Sequence, residues 1–179
     1  MVSLAVCILA LGIRLPPAAD LDGHLHHLLS EAAGRPVALV FIAHDCPISL
    51  SYAPKMNRLA KEYAPKGIAF YIVYAEPDLK LTAARSHDKA YGYVCPALLD
   101  SKLVLTQRTG AVVTPEAIVL SPSGTALYRG RIDNLFAGYG VRRAHFTTDD
   151  LKSALDSILA GKPVAHPTTM AVGCFIPRQ

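Results

Sequence analysis

The sequence has no tryptophan, four cysteines among 179 residues and no run of lysine or arginine. Without a basic run, the formal charge of +4 leaves no electrostatic footprint for nucleic acid. No apolar stretch approaches the roughly 20 residues of a membrane span. Cysteines this sparse cannot form a disulfide framework, and a chain of this length can bury a core without one. Apolar residues are abundant instead. They make up 51% of the chain, and mean hydropathy is positive, which excludes disorder and points to one compact domain.

The longest apolar run, "SLAVCILALGI" (3–13), is too short to cross a bilayer and suits the central region of a secretory signal, although no basic segment precedes it. "PPAAD" offers a cleavage point after Ala19. We therefore expect a signal segment over 1–19, a folded domain over 20–163, a tail over 164–179, and export to a bacterial periplasm or cell envelope. The alternative is a buried first strand or helix. "LAVC" is a poor lipid-attachment match because Val6 precedes Cys7. Removal of the segment leaves Cys46, Cys95 and Cys174, an odd number, so at least one thiol lacks an internal partner.

Past that point, strand and helix patterns alternate. "DLDGHLHHLLSEAAGRP" (20–36) reads as a turn at Asp22-Gly23 and a short helix stopped by Gly34 and Pro36, with the histidines of "HLHH" (24–27) facing solvent. "VALVFIA" (37–43) is apolar throughout, as a strand covered on both faces would be. A helix follows, with Tyr52, Met56, Leu59, Ala60 and Tyr63 on one face and a stop at Pro65-Lys66-Gly67. "IAFYIVYA" (68–75) is a second buried strand, 79–92 a helix, 97–100 a short strand and 102–110 a short helix. Residues 116–133 read as a hairpin around Pro122-Ser123-Gly124. "NLFAGYGVRRAHF" (134–146) reads as a surface loop, and 147–163 as a helix capped by Thr147 or Thr148. This order predicts an α/β fold, with parallel strands, an antiparallel hairpin at the edge and helices on both faces. Ligands in such sheets gather at the carboxyl ends of strands, where Cys46 lies.

In "IAHDCPISLSYAP" (42–54), Cys46 stands between a strand end and a helix start, where the helix dipole and unpaired N–H groups favour a thiolate. His44 would assist if protonated, and Asp45 would oppose the anion. A buried, inert cysteine is the competing reading. Three places on, Ser49 stands where a reactive dithiol would carry a second cysteine, and a hydroxyl cannot take part in disulfide exchange. A mixed disulfide at Cys46 would thus need another thiol to resolve it: Cys174 in the tail, Cys95, or an external one.

The element order, together with "VALVFIAHDCPIS", "YAPKGIAFYIVY", "VTPEAIVLSPSGTALYRGRID", "DLKSALDSILAGKPV" and "AVGCFIP", resembles the thioredoxin-like superfamily. The likeness is to its exported redoxin-domain branch, related to peroxiredoxins and thiol–disulfide oxidoreductases, and runs over roughly 20–176. It implies a thioredoxin-like fold with a central mixed sheet and helices on both faces. Pro54 would interrupt the active-site helix, and Thr114-Pro115 would form a cis-proline loop facing Cys46. The implied activity is thiol–disulfide exchange through a single active-site cysteine in a C-x-x-S motif. Cys46 would be the nucleophile, Ser49 a hydrogen-bond donor to its sulfur, and Pro115 would shape the groove. The partners would be protein or small-molecule thiols and disulfides, with no cofactor or metal.

Two alternatives remain at this point. Peroxiredoxins carry Pro-x-x-x-Thr/Ser-x-x-Cys, but this chain has Leu39 and Ala43 at those places, which leaves at most weak peroxidase chemistry. A non-catalytic binding module or copper-chaperone-like protein would use Cys46 with His44 and Asp45, or with His145 or His166.

Overall fold

The computed structural model describes residues 12–177. Most of the expected signal segment, 1–11, lies outside the described residues. The elements are β1 (Ala18–Ala19), β2 (Leu25–His26), α1 (Leu28–Glu31), β3 (Val37–Ile42), α2 (Pro47–Tyr63), β4 (Ala69–Tyr74), α3 (Leu81–Tyr91), β5 (Ala97–Leu99) and α4 (Val104–Thr109). They continue with β6 (Val113–Thr114), β7 (Glu116–Leu120), β8 (Ala126–Gly130), β9 (Phe136–Gly138), β10 (Val141–Arg142), α5 (Asp150–Leu159) and β11 (Cys174–Phe175).

The central sheet has the order β5-β4-β3-β7-β8, with β3, β4 and β5 parallel and β7 and β8 antiparallel to their neighbours. Alternate residues of β3 feed two cores. Ala38, Val40 and Ile42 pack under α2, α3 and α5, while Val37, Leu39 and Phe41 pack against α1 and α4. That division explains the unbroken apolar sequence of β3, since neither face meets water. The fold is thioredoxin-like α/β, as the resemblance implied.

Three local readings are corrected. Residues 20–36 form only a four-residue helix, because the Asp20 carboxylate accepts the Asp22 and His24 N–H groups and bends the chain into a β1–β2 hairpin. His26 then lies between Asp20 and Glu31 and not on a solvent-facing helix. The N-cap of α5 is Asp149, not Thr147 or Thr148, because Asn134 Oδ1 accepts both threonine N–H groups and holds them outside the helix. The loop 134–146 contains the small hairpin β9–β10.

Both sheet edges are covered, which removes open pairing sites. At β5, Asp20 bridges Leu98 and the Leu21 N–H donates to Ala97 O at 3.0 Å. At β8, the tail lays Pro167–Thr169 alongside. Arg129 N–H donates to Pro167 O, and Thr169 N–H donates back to Arg129 O. Gly130, at φ 146°, permits this approach, because a Cβ there would collide with Thr169.

Beneath α2, Lys55 is 8% exposed and Asp133 2% exposed. The Lys55 ammonium lies 2.6 Å from Asp133 Oδ2 and 2.7 Å from Asp149 Oδ1, the second a charge contact without hydrogen-bond alignment. Tyr52 OH donates to Asp133 Oδ1 at 2.5 Å, and the Phe146 ring covers the ammonium. Removing one member of a buried ion pair costs about 3–5 kcal/mol, because its partner is left charged and unpaired. Lys55→Met should therefore lower urea-unfolding stability by about that amount, and adding Asp133→Asn should recover part of it. A single-variant loss below about 1 kcal/mol, the range of an exposed pair, would contradict this account.

Candidate redox site

Cys46 is the N-cap residue of α2, with Pro47 in its first turn. The strand end fixes where the residue sits, and Leu50 N–H donates to its carbonyl at 3.0 Å to begin the helix. The residue is almost fully covered, at 1% exposure. Its thiol donates to Thr114 O at 3.2 Å, and the Thr114–Pro115 bond is cis. The Thr114 carbonyl, immediately before the cis bond, therefore sits directly against Cys46.

The tail supplies the covering group. β11 runs antiparallel to β6, pairing Cys174 with Thr114 and Phe175 with Val113, and Ile176 N–H donates to Val112 O at 3.0 Å. Gly173 makes this fit possible, since a Cβ there would collide with the Thr114 carbonyl. This pairing puts Cys174 Sγ 2.6 Å from Cys46 Sγ. The two cysteines are 128 positions apart in sequence, and the tail is anchored on either side, by Thr169 at β8 and by the buried Ile176.

The two thiols differ in acidity. Burial pushes Cys46 up, but the Cys174 thiol and the Ser49 N–H and hydroxyl near the sulfur outweigh it, leaving the thiol below its ordinary value. Ser49 is fully buried, and its hydroxyl has no aligned partner, so the bond it can give the sulfur gains strength when the thiolate forms. Burial pushes Cys174 up to about 12, and the nearby Cys46 and Asp45 charges push the same way. Asp45 thus opposes the anion on Cys174.

His44 is engaged by Glu76. Its N–H donates to Glu76 Oε1 and its ring Nδ1 lies 2.7 Å from Glu76 Oε2. Glu76 was not foreseen, yet parallel register makes it legible. Ile42 pairs with Tyr74, so residues two past each strand end lie side by side. His44, Asp45 and Glu76 bring three donor atoms within 4.8 Å, but His44 already engages both Glu76 oxygens. Cys95 stands before β5, two strands from β3, and burial pushes its thiol up to about 12. Leu39 and Ala43 are buried and carry no hydroxyl to orient a peroxide.

A family model described as Redoxin matches residues 12–139, more than half of the chain. The chain belongs to the redoxin family. This redoxin shares 26% identity with the hypothetical protein SMc02350 of Sinorhizobium meliloti 1021, covering 93% of each chain with a TM-score of 0.80. It shares 24% identity with an uncharacterized conserved protein from Geobacillus kaustophilus, covering 94% of this chain and 92% of that one, at a TM-score of 0.80. A secreted Mycobacterium tuberculosis disulfide oxidoreductase, described as homologous to E. coli DsbE, is 17% identical over 81% of this chain and 96% of its own, at a TM-score of 0.60. At that identity the likeness concerns the fold. No curated protein matches the chain. Among the described residues, no helix is long and apolar enough to cross a membrane.

The pH dependence of Cys46 alkylation, read by mass spectrometry on its own peptide, reports the acidity of this thiol. Ser49→Ala removes a donor to the thiolate, so the Cys46 midpoint should move to higher pH. An unchanged or lower midpoint would contradict the assigned role of Ser49.

Proposed function

We propose that this redoxin is a thiol–disulfide oxidoreductase in which Cys46 is the nucleophile and Cys174 the resolving thiol. The observation that carries the reading is the contact between two thiols of unequal acidity, the more acidic one at a helix N-terminus. A thiolate is the attacking species in exchange, and a neighbouring neutral thiol is held ready for the second step. Ser49 strengthens the thiolate, and Thr114 and Pro115 shape the wall opposite it.

Cys46 thiolate attacks one sulfur of a substrate disulfide, and that S–S bond breaks. The distal substrate sulfur leaves as a thiolate and takes a proton from water. Cys174 then loses its proton to water and attacks the Cys46 sulfur, releasing the second substrate thiolate. The substrate gains two electrons and the protein ends with a Cys46–Cys174 disulfide. An external thiol donor reduces that disulfide to close the cycle. The signal-like apolar run over 3–13 supports a site of action in the cell envelope, where such exchange takes place.

Insulin reduction with dithiothreitol as donor tests the reading. Cys46→Ser should abolish turnover. Cys174→Ser should accumulate a mixed disulfide between Cys46 and the substrate, visible as added mass. Ser49→Ala should slow exchange by about ten-fold, the effect of losing a hydrogen bond of about 1–2 kcal/mol. Unchanged turnover in Cys46→Ser would overturn the reading.

A further inference from the structure

To act as the resolving thiol, Cys174 must lose its proton. Burial, the bond to Cys46 and the Cys46 and Asp45 charges hold that thiol up to about 12. Its thiolate is therefore scarce at neutral pH, and a base that takes the proton during attack is worth roughly 10²–10⁴-fold in rate. Cys174 lines a cavity of about 480 Å³ whose wall also carries His44, Asp45 and Glu76. That volume has room for water between the sulfur and the facing side chains.

Glu76 clamps His44 at two points, taking its backbone N–H on Oε1 and lying 2.7 Å from ring Nδ1 with Oε2. A carboxylate only accepts, so Nδ1 carries the hydrogen and Nε2 keeps its lone pair. The side chain is 38% exposed on the cavity wall, which leaves Nε2 to solvent. An imidazole titrates closest to neutral pH of the ordinary side chains, so it can take a proton and return it. The Asp45 carboxylate lies within 4.8 Å of the donor atoms of His44 and Glu76 and favours the imidazolium once it forms. Behind the ring stands the buried His87 of α3, its centroid 6.4 Å from that of His44 and its Nδ1 2.8 Å from the Tyr74 hydroxyl. Burial holds His87 below its ordinary value, and the His44 charge acts the same way, so His87 stays neutral when His44 is charged. Asp78 and Lys80 add one charge of each sign to the wall. Among the described residues lining this cavity, His44 is the one imidazole.

We propose, resting on the oxidoreductase reading, that His44 is the general base of the resolving step, acting on Cys174 through a bridging water, and that Glu76 is its positioning residue. The Cys174 proton passes to the water, and a proton of that water passes to His44 Nε2. The Cys174 sulfur attacks Cys46, the bond between the two sulfurs forms, and the bond from Cys46 to the substrate sulfur breaks. That substrate sulfur leaves with the electron pair as a thiolate and takes the proton from the imidazolium. His44 is then neutral again, and the step releases no net proton.

Methyl methanethiosulfonate, added in equimolar amount to the reduced protein, isolates this step. It places a methylthio group on Cys46, and Cys174 then displaces methanethiol; rapid quenching and mass spectrometry of the Cys46 peptide follow the decay of that adduct. In the native protein the decay rate should rise with pH through the range of an imidazole and then level off. In His44→Gln it should be at least about ten-fold slower at neutral pH. It should then climb steadily with pH, as for a thiol left to ionise by itself. Glu76→Gln should move the native inflection to lower pH, because loss of the carboxylate disfavours the imidazolium. Added imidazole should speed the decay in His44→Ala several-fold more than in the native protein, which a loss of packing could not produce. A His44→Gln profile that matches the native one, or slow decay in His44→Ala that imidazole does not relieve, would overturn the assignment of the base. Absence of the methylthio group from Cys46, or its persistence in the native protein as in Cys174→Ser, would instead overturn the oxidoreductase reading beneath it.

Discussion

The site depends on the pairing of two short strands, β11 on β6. A two-strand contact of two residues each is weak by itself, since isolated pairs are marginal in water. Here the tail is fixed at both ends of the contact, by Thr169 along β8 and by Ile176 in the second core. Gly173 lets the backbones close. With these constraints, the sulfur of a residue far along the chain is held against a thiol at a helix start. Without them, Cys46 would be a lone cysteine at a strand end.

Opposed forces then set the chemistry of Cys46. Burial favours the neutral thiol, and the donors of Cys174 and Ser49 near the sulfur favour the thiolate and prevail. The same contact acts in the opposite direction on Cys174, since a thiol that donates to a neighbouring anion resists losing its own proton. One geometric arrangement thereby divides two identical functional groups into a more acidic and a less acidic thiol. The Thr114 carbonyl accepts from the Cys46 thiol, so this division is a balance that the surrounding loop can adjust.

Much of the frame was legible in the sequence because it rests on periodicity. The apolar runs at β3 and β4 read as strands of a sheet covered on both faces, and the place of Cys46 follows from the strand end before Pro47. What was hidden depends on long-range partners. Nothing in "AVGCFIP" shows which edge it meets, and a free tail and a packed anchor read alike. The cap of α5 was misread because Asn134, 14 positions before Thr148, captures the threonine N–H groups. The His44–Glu76 pair joins two strand ends, and Lys55 finds Asp133 and Asp149 only when α2 is laid over the sheet. The β9–β10 hairpin read as a loop because its strands are too short to show alternation.

In the proposed mechanism, Cys46 and Cys174 form one redox couple within a single chain. Non-reducing peptide mapping of the protein after titration with a mild oxidant measures this directly. We expect a Cys46–Cys174 linked peptide pair as the main product, with Cys95 still a free thiol. Cys46 joined to the oxidant or to Cys95, with Cys174 free, would contradict it.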